Sequence, residues 1–282
     1  MSPRRPRRIL IHPGFHKTGT SSIQHFLWVN RRNLRDNLAT LQLRHLKPVA
    51  QLCMRFARSR NPLLLSNLVE VLDEALSLED LLPQADDPRD IVISCEALSG
   101  HCPGWPGVMD YGTAPYTVSV VAGYFAERFP GAEIIVVYST REPEPWLYSA
   151  WGHHLHGQRL RAGFEEWAPI YRPASDLQSV VSEVAGAIAP HQVFTLPLEE
   201  SRTHPKGPGG ALLELIDLPD EVRDQLTPVG QGNAGPPSDL ISEYLALNRS
   251  ALTDADVRTR KAALLEEYKV GGWAPPADPT AD

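Results

Sequence analysis

The 282-residue chain has only three cysteines (Cys53, Cys95 and Cys102) and three methionines. Three cysteines cannot all pair, and their spacing is not that of metal ligands. This argues against a disulfide framework and a cysteine-held zinc site, and it suits a reducing compartment, here the cytoplasm. Long apolar runs are also missing. The longest clean one is Ile134-Ile135-Val136-Val137-Tyr138, far short of the roughly 18 residues of a membrane-spanning helix. Behind the basic start (Arg4, Arg5, Arg7, Arg8) there is no apolar stretch of signal-peptide length, so the reading is a solvated leader and not a secretory signal. Positive charge is in deficit: a net charge of −7 argues against general nucleic-acid binding. No internal repeat is visible. What is present, 42% hydrophobic and 22% charged residues, is ordinary for a water-soluble globular protein.

Four short apolar runs read as buried strands: Ile9 to His12, Asp90 to Ser94, Glu133 to Ser139 and Gln192 to Leu196. Helical periodicity separates them, over Ser21 to Leu38, Pro62 to Leu76, Thr117 to Phe129, Pro145 to Leu155 and Asp176 to Ile188. Strands alternating with helices predict an α/β fold, three layers with a central parallel sheet. Ser99 to Pro115 and Pro219 to Pro237, rich in Gly and Pro, read as loops. The expectation is one domain over 1–282, with a helical appendage at about 238–268 and a disordered tail over 271–282.

The most informative stretch is Pro13-Gly14-Phe15-His16-Lys17-Thr18-Gly19-Thr20-Ser21-Ser22. It joins the first strand to a helical pattern, a device for holding phosphate on backbone N–H groups and the positive end of a helix. Lys17 adds a point charge; the hydroxyls of Thr18, Thr20, Ser21 and Ser22 add donors. The order differs from the nucleotide-triphosphate loop G-x-x-x-x-G-K-[ST], because Lys17 precedes Gly19. A second signal is Arg141, just past the third strand, followed eight residues later by Ser149 in a helix. A guanidinium fork and a hydroxyl there can hold another phosphate.

Lys17-Thr18-Gly19-Thr20-Ser21 resembles the 5′-phosphosulfate loop of sulfotransferases that use 3′-phosphoadenosine 5′-phosphosulfate (PAPS). The spacing from Arg141 to Ser149 resembles the 3′-phosphate motif of the same family. The resemblance covers Ile9 to about Leu155 and implies a P-loop NTPase-like sulfotransferase fold. It implies transfer of a sulfuryl group to an acceptor hydroxyl, on a carbohydrate or lipid-linked precursor, leaving 3′,5′-ADP. PAPS would be held by Lys17, Thr18, Gly19, Thr20, Ser21, Ser22, Arg141 and Ser149, with no metal. Lys17 would neutralise charge on the leaving phosphate. Glu96, just after the second strand, is the expected general base; His101, His153, His154 and His156 are rivals for that role or for contact with the acceptor. His16 reads as local structure, and Trp105, Tyr111, Tyr116, Trp146 and Trp151 as core or as an acceptor wall. The basic Gly-rich stretch Lys206-Gly207-Pro208-Gly209-Gly210 reads as a plain loop before a helix at Leu212. The alternatives are a small-molecule kinase with a variant phosphate loop and a non-catalytic nucleotide-binding module.

Overall fold

A computed structural model describes residues 5–77, 81–84, 87–229 and 236–270. Its centre is a five-stranded, fully parallel sheet: β1 (Arg8–His12), β2 (Leu38–Gln42), β3 (Asp90–Ser94), β4 (Glu133–Thr140) and β5 (Gln192–Pro197), in the order β2-β3-β1-β4-β5. Register aligns the carboxyl ends: Ile11 of β1 faces Ile93 of β3 and Val136 of β4. Alternate residues feed two cores. Leu10, Val92, Ile135 and Val137 pack with α1 (Thr20–Val29), α2 (Arg31–Leu34) and the later segment that carries Leu212, Leu213, Ile216 and Leu226. Ile9, Ile11, Ile93, Val136 and Tyr138 pack on the opposite face. There they meet α3 (Lys47–Ser59), α4 (Pro62–Ser66), α5 (Leu68–Ser77), α6 (Ala114–Arg128), α7 (Pro143–Gly157), α8 (Phe164–Tyr171) and α9 (Leu177–Ala187). Helices therefore cover both faces, as a parallel sheet requires. After β3 the chain crosses from one side of β1 to the other, so the carboxyl end of β1 is the topological switch point. That is where open α/β sheets bind ligands.

The expected helix from Ser21 to Leu38 is corrected. It stops at Asn30, whose side-chain Nδ2 donates to Phe26 O at 3.0 Å and whose Oδ1 accepts from Thr227 N at 2.7 Å. Leu38–Gln42 instead forms β2, the edge strand beside β3. Helical spacing of Ile23, Phe26, Leu27 and Leu34 runs up to that strand and hides it from a periodicity reading. The helix expected over Pro62 to Leu76 is likewise split at Asn67, between α4 and α5. The solvated leader is corrected too. Arg5 grips the buried carboxylate of Asp90 with two nitrogens (3.2 and 2.9 Å), Arg7 donates to the carbonyls of Gln84 and Asp87, and Arg8 Nε lies 3.0 Å from Glu133. Arg4 lies outside the described residues.

After the short α10 (Leu198–Ser201), Lys206–Gly210 is not a free loop: α11 (Gly207–Leu213) begins there. A Cβ on Gly209 would sit 2.4 Å from Phe26 Cγ, so this glycine is what lets α11 close on α1. The stretch from Pro219 also holds a short helix, α12 (Asp220–Gln225). The C-terminal helices fall where expected, α13 (Ser238–Arg249) and α14 (Asp254–Val270). They clamp the end of α7, where the buried Lys261 ammonium donates to the carbonyls of Leu155, His156 and Gln158. That is a cation at a helix carboxyl end, a favourable place for one. The tail over 271–282, with Trp273, lies outside the described residues. Among those described, no helix is long and apolar enough to cross a membrane.

Gly209→Ala is expected to cost about 2 kcal/mol by overpacking. Gly186→Ala, in open space on α9, is expected to raise stability by about 0.5 kcal/mol. Urea unfolding of the two variants beside the wild type checks both signs.

Candidate phosphate-binding and active site

The site begins with His12, the last residue of β1, which is fully buried. Its Nδ1 is 2.9 Å from Ser94 Oγ at the end of β3, and its Nε2 is 3.1 Å from Ser139 Oγ near the end of β4. Ser139 Oγ is 2.8 Å from Thr18 Oγ1, and Thr18 Oγ1 donates to Phe15 O at 2.7 Å. These contacts assign every proton. Thr18 has one hydroxyl hydrogen and spends it on a carbonyl, so Ser139 donates to Thr18. Nε2–H of His12 then donates to Ser139, and Nδ1 accepts from Ser94. The ring is neutral, held down to a pKa of about 3 by burial.

Above this chain the loop folds over itself. Gly14 (φ 57°), Lys17 (φ 68°) and Gly19 (φ 96°) are all left-handed. For Lys17 that conformation costs about 1–2 kcal/mol. Side chains hold the loop's carbonyls. Ser99 donates to Gly14 O (2.7 Å), Thr18 and Thr20 to Phe15 O, Trp146 Nε1 to His16 O (2.9 Å), and Arg141 Nη1 to Lys17 O (3.1 Å). His16 N–H donates to the buried Tyr111 hydroxyl at 3.1 Å. The consecutive N–H groups of Lys17, Thr18, Gly19, Thr20 and Ser21 have no acceptor among the described residues. They open α1, which has no side-chain cap and no acidic residue in its first turn. A run of open amides at a helix start attracts an anion.

Two sequence expectations change here. The hydroxyls of Thr18 and Thr20 point into the loop and brace it, leaving only their N–H groups open. Ser21 and Ser22 are half-buried and their hydroxyls have no partner among the described residues. Tyr111 and Trp146 are buried loop supports, not an acceptor wall; Tyr116 is 57% exposed and packs on Phe56, and Trp151 donates to Ala162 O.

The charged groups lie at the same end of the sheet. Lys17 and Arg141 are half-buried, and neither has a carboxylate within 4 Å among the described residues. Glu144 pairs with Arg172 instead. Burial pulls the Lys17 ammonium below its ordinary pKa, and Arg141 adds to that, against the pull of Cys102 and Glu96. Glu96 follows β3 and opens a short 3₁₀ turn (Glu96–Ser99). Burial pushes its carboxyl above the usual carboxylate range, opposed by its own backbone N–H, the Gln24 amide and Lys17. Gln24 was not singled out from sequence, because a glutamine inside a helical pattern carries no local signal.

Ser149 lies in the second turn of α7, half-buried, on the face that Trp146 and His153 share at i−3 and i+4. His154 is removed as a base: its Nε2 donates to Pro103 O (2.7 Å) and its Nδ1 accepts from Gln158 (2.7 Å). His101 Nδ1 accepts from Cys102 N–H. His153 has no hydrogen-bond partner among the described residues, and burial, reinforced by Lys17 and His154, keeps it neutral. His156 is exposed at the far end of α7. Among the described residues no three His, Cys, Asp or Glu side chains are grouped to hold a metal ion. The cysteines are free and buried. No protein-family model matches the chain, and no curated protein matches it.

Because unfolding frees His12 to protonate near its ordinary 6.5 while the folded state refuses the proton down to about 3, stability should be full above pH 6.5 and fall as pH drops below it. The expected loss for this residue is about 1.4 kcal/mol between pH 7.5 and 5.5. Denaturant titrations at the two pH values should show a loss smaller by that amount in His12→Asn.

Proposed function

We propose that the chain is a PAPS-dependent sulfotransferase of P-loop architecture, acting on an acceptor hydroxyl. The observation that carries this reading is the run of open N–H groups from Lys17 to Ser21 at the switch point of the sheet. Arg141 supports it, since its guanidinium bonds the Lys17 carbonyl and so ties a second cationic site to the first. Two cations with no carboxylate within 4 Å among the described residues, next to open amides, match a ligand with two separate phosphate groups better than one with a single chain of phosphates.

In this reading the amides of Lys17 to Ser21 hold the 5′-phosphate, and Arg141 with Ser149 holds the 3′-phosphate. Holding both ends fixes the sulfuryl group for in-line attack. The Lys17 ammonium meets the charge that grows on the departing phosphate oxygen. Glu96 takes the acceptor's proton, a task suited to a carboxyl whose burial raises its basicity. Neutral His153, on the Ser149 face of α7, offers a hydrogen bond to the acceptor without adding charge. A neutral polyol such as a carbohydrate, or a lipid-linked precursor, fits such a lining.

Calorimetry tests the reading. The wild type is expected to bind 3′,5′-ADP without metal and more tightly than 5′-ADP or ATP with magnesium. Arg141→Ala should weaken 3′,5′-ADP by about 10- to 100-fold and barely change 5′-ADP. Glu96→Gln should retain nucleotide affinity and lose turnover with PAPS. Preference for ATP with magnesium would overturn the sulfotransferase reading in favour of a kinase.

A further inference from the structure

Glu96 does not stand alone at the end of β3. The Gln24 side chain, on the second turn of α1 and completely buried, places its Nε2 2.6 Å from Glu96 Oε2 and 3.4 Å from Ser94 O. Turning the amide over would set its oxygen against a carbonyl and a carboxylate, two acceptors that cannot donate to it. Ser94 O therefore fixes which end of the amide faces Glu96. The cost is visible: Gln24 Oε1 is buried with no hydrogen-bond donor among the described residues. A buried acceptor left unpaired costs about 1–3 kcal/mol. The backbone beneath is pinned as well, since Gln42 of β2 donates from Nε2 to Gln24 O at 2.8 Å.

We infer that Gln24 is the positioning residue for Glu96: its amide hydrogen occupies Oε2 and favours the ionised carboxyl that takes a proton from an acceptor. This rests on the proposed role of Glu96 as general base. An amide donor bonds a carboxylate more strongly than a protonated carboxyl, so the pair favours the base form of Glu96 before an acceptor arrives. The other ionisable groups near the carboxyl are Lys17 from the phosphate loop, Cys95 beside it in the chain, and Tyr111 from the loop before α6. Lys17 favours the ionised form of Glu96, and neither Cys95 nor Tyr111 is charged at neutral pH, because burial raises both well above their ordinary values. Gln24 is thus the uncharged side chain that bonds the carboxylate, beside the backbone N–H of Glu96 itself.

The test is a carbon-13 NMR titration of the glutamate carboxyls, with the Glu96 signal assigned by its loss in Glu96→Gln. In Gln24→Met, close in volume but unable to donate, the Glu96 midpoint is expected to rise by about one pH unit. The acid limb of kcat with PAPS should rise equally, while affinity for 3′,5′-ADP stays within about threefold. An unchanged midpoint in a folded Gln24→Met protein would reduce Gln24 to a packing residue and overturn the inference. Gln24→Glu gives an independent reading at native volume. Two carboxyls sharing one proton should push one midpoint well above that of wild-type Glu96, and two ordinary carboxylate midpoints would overturn the inference. Failure of the wild type to bind 3′,5′-ADP would instead remove the functional reading, and would leave the midpoint comparison standing.

Discussion

A neutral imidazole at the end of the central strand is the constraint on which the site depends. Buried His12 cannot carry charge, so it must donate from one nitrogen and accept at the other, and the serines that end β3 and β4 supply the matching partners. That requirement aligns three strand ends and passes direction along a line of hydroxyls to Thr18 and the Phe15 carbonyl. A charged ring, or a residue able only to donate, would break the line at its first link. Parallel register alone brings the strand ends level; the histidine ties their polar groups into one support.

The loop's chemistry follows from how that support uses its hydrogen bonds. Each carbonyl from Gly14 to Lys17 is taken by a side chain from the surrounding elements: Ser99, Thr18 with Thr20, Trp146 and Arg141. With the carbonyls held, the amides that follow face the start of α1 without acceptors among the described residues. The left-handed backbone at Lys17 is strain of a kind that clusters at binding sites. Around these amides, Lys17 and Arg141 have no carboxylate within 4 Å among the described residues, and the histidine ring on the Ser149 face of α7 is neutral. Such an arrangement suits an anion.

Much of this was legible in the amino-acid order. The strand runs Ile9–His12, Asp90–Ser94 and Glu133–Ser139 are buried members of the sheet, since short apolar runs between helices have few other uses; Gln192–Leu196, expected to be buried, is instead a largely exposed edge strand, paired on one side only by β4. The Lys17–Ser22 loop stands out because Gly and hydroxyl residues cluster between a strand and a helix. β2 was hidden because Leu38–Gln42 is short and continues a helical spacing; its existence depends on pairing with β3, a non-local contact. The roles of His12, Ser99 and Gln24 were hidden for the same reason: each partner lies tens of residues away in the chain. The bracing use of Thr18 and Thr20 could not be told from a ligand-facing one, because a hydroxyl serves either.

Whether the loop amides hold an anion is tested most directly by a proton–nitrogen NMR titration of the labelled protein with 3′,5′-ADP, following the backbone amides of Lys17, Thr18, Gly19, Thr20 and Ser21. These signals are expected to move downfield together, with one binding curve, as each N–H gains an anionic acceptor. Binding that moves other amides and leaves this set in place would contradict an anion site at the loop.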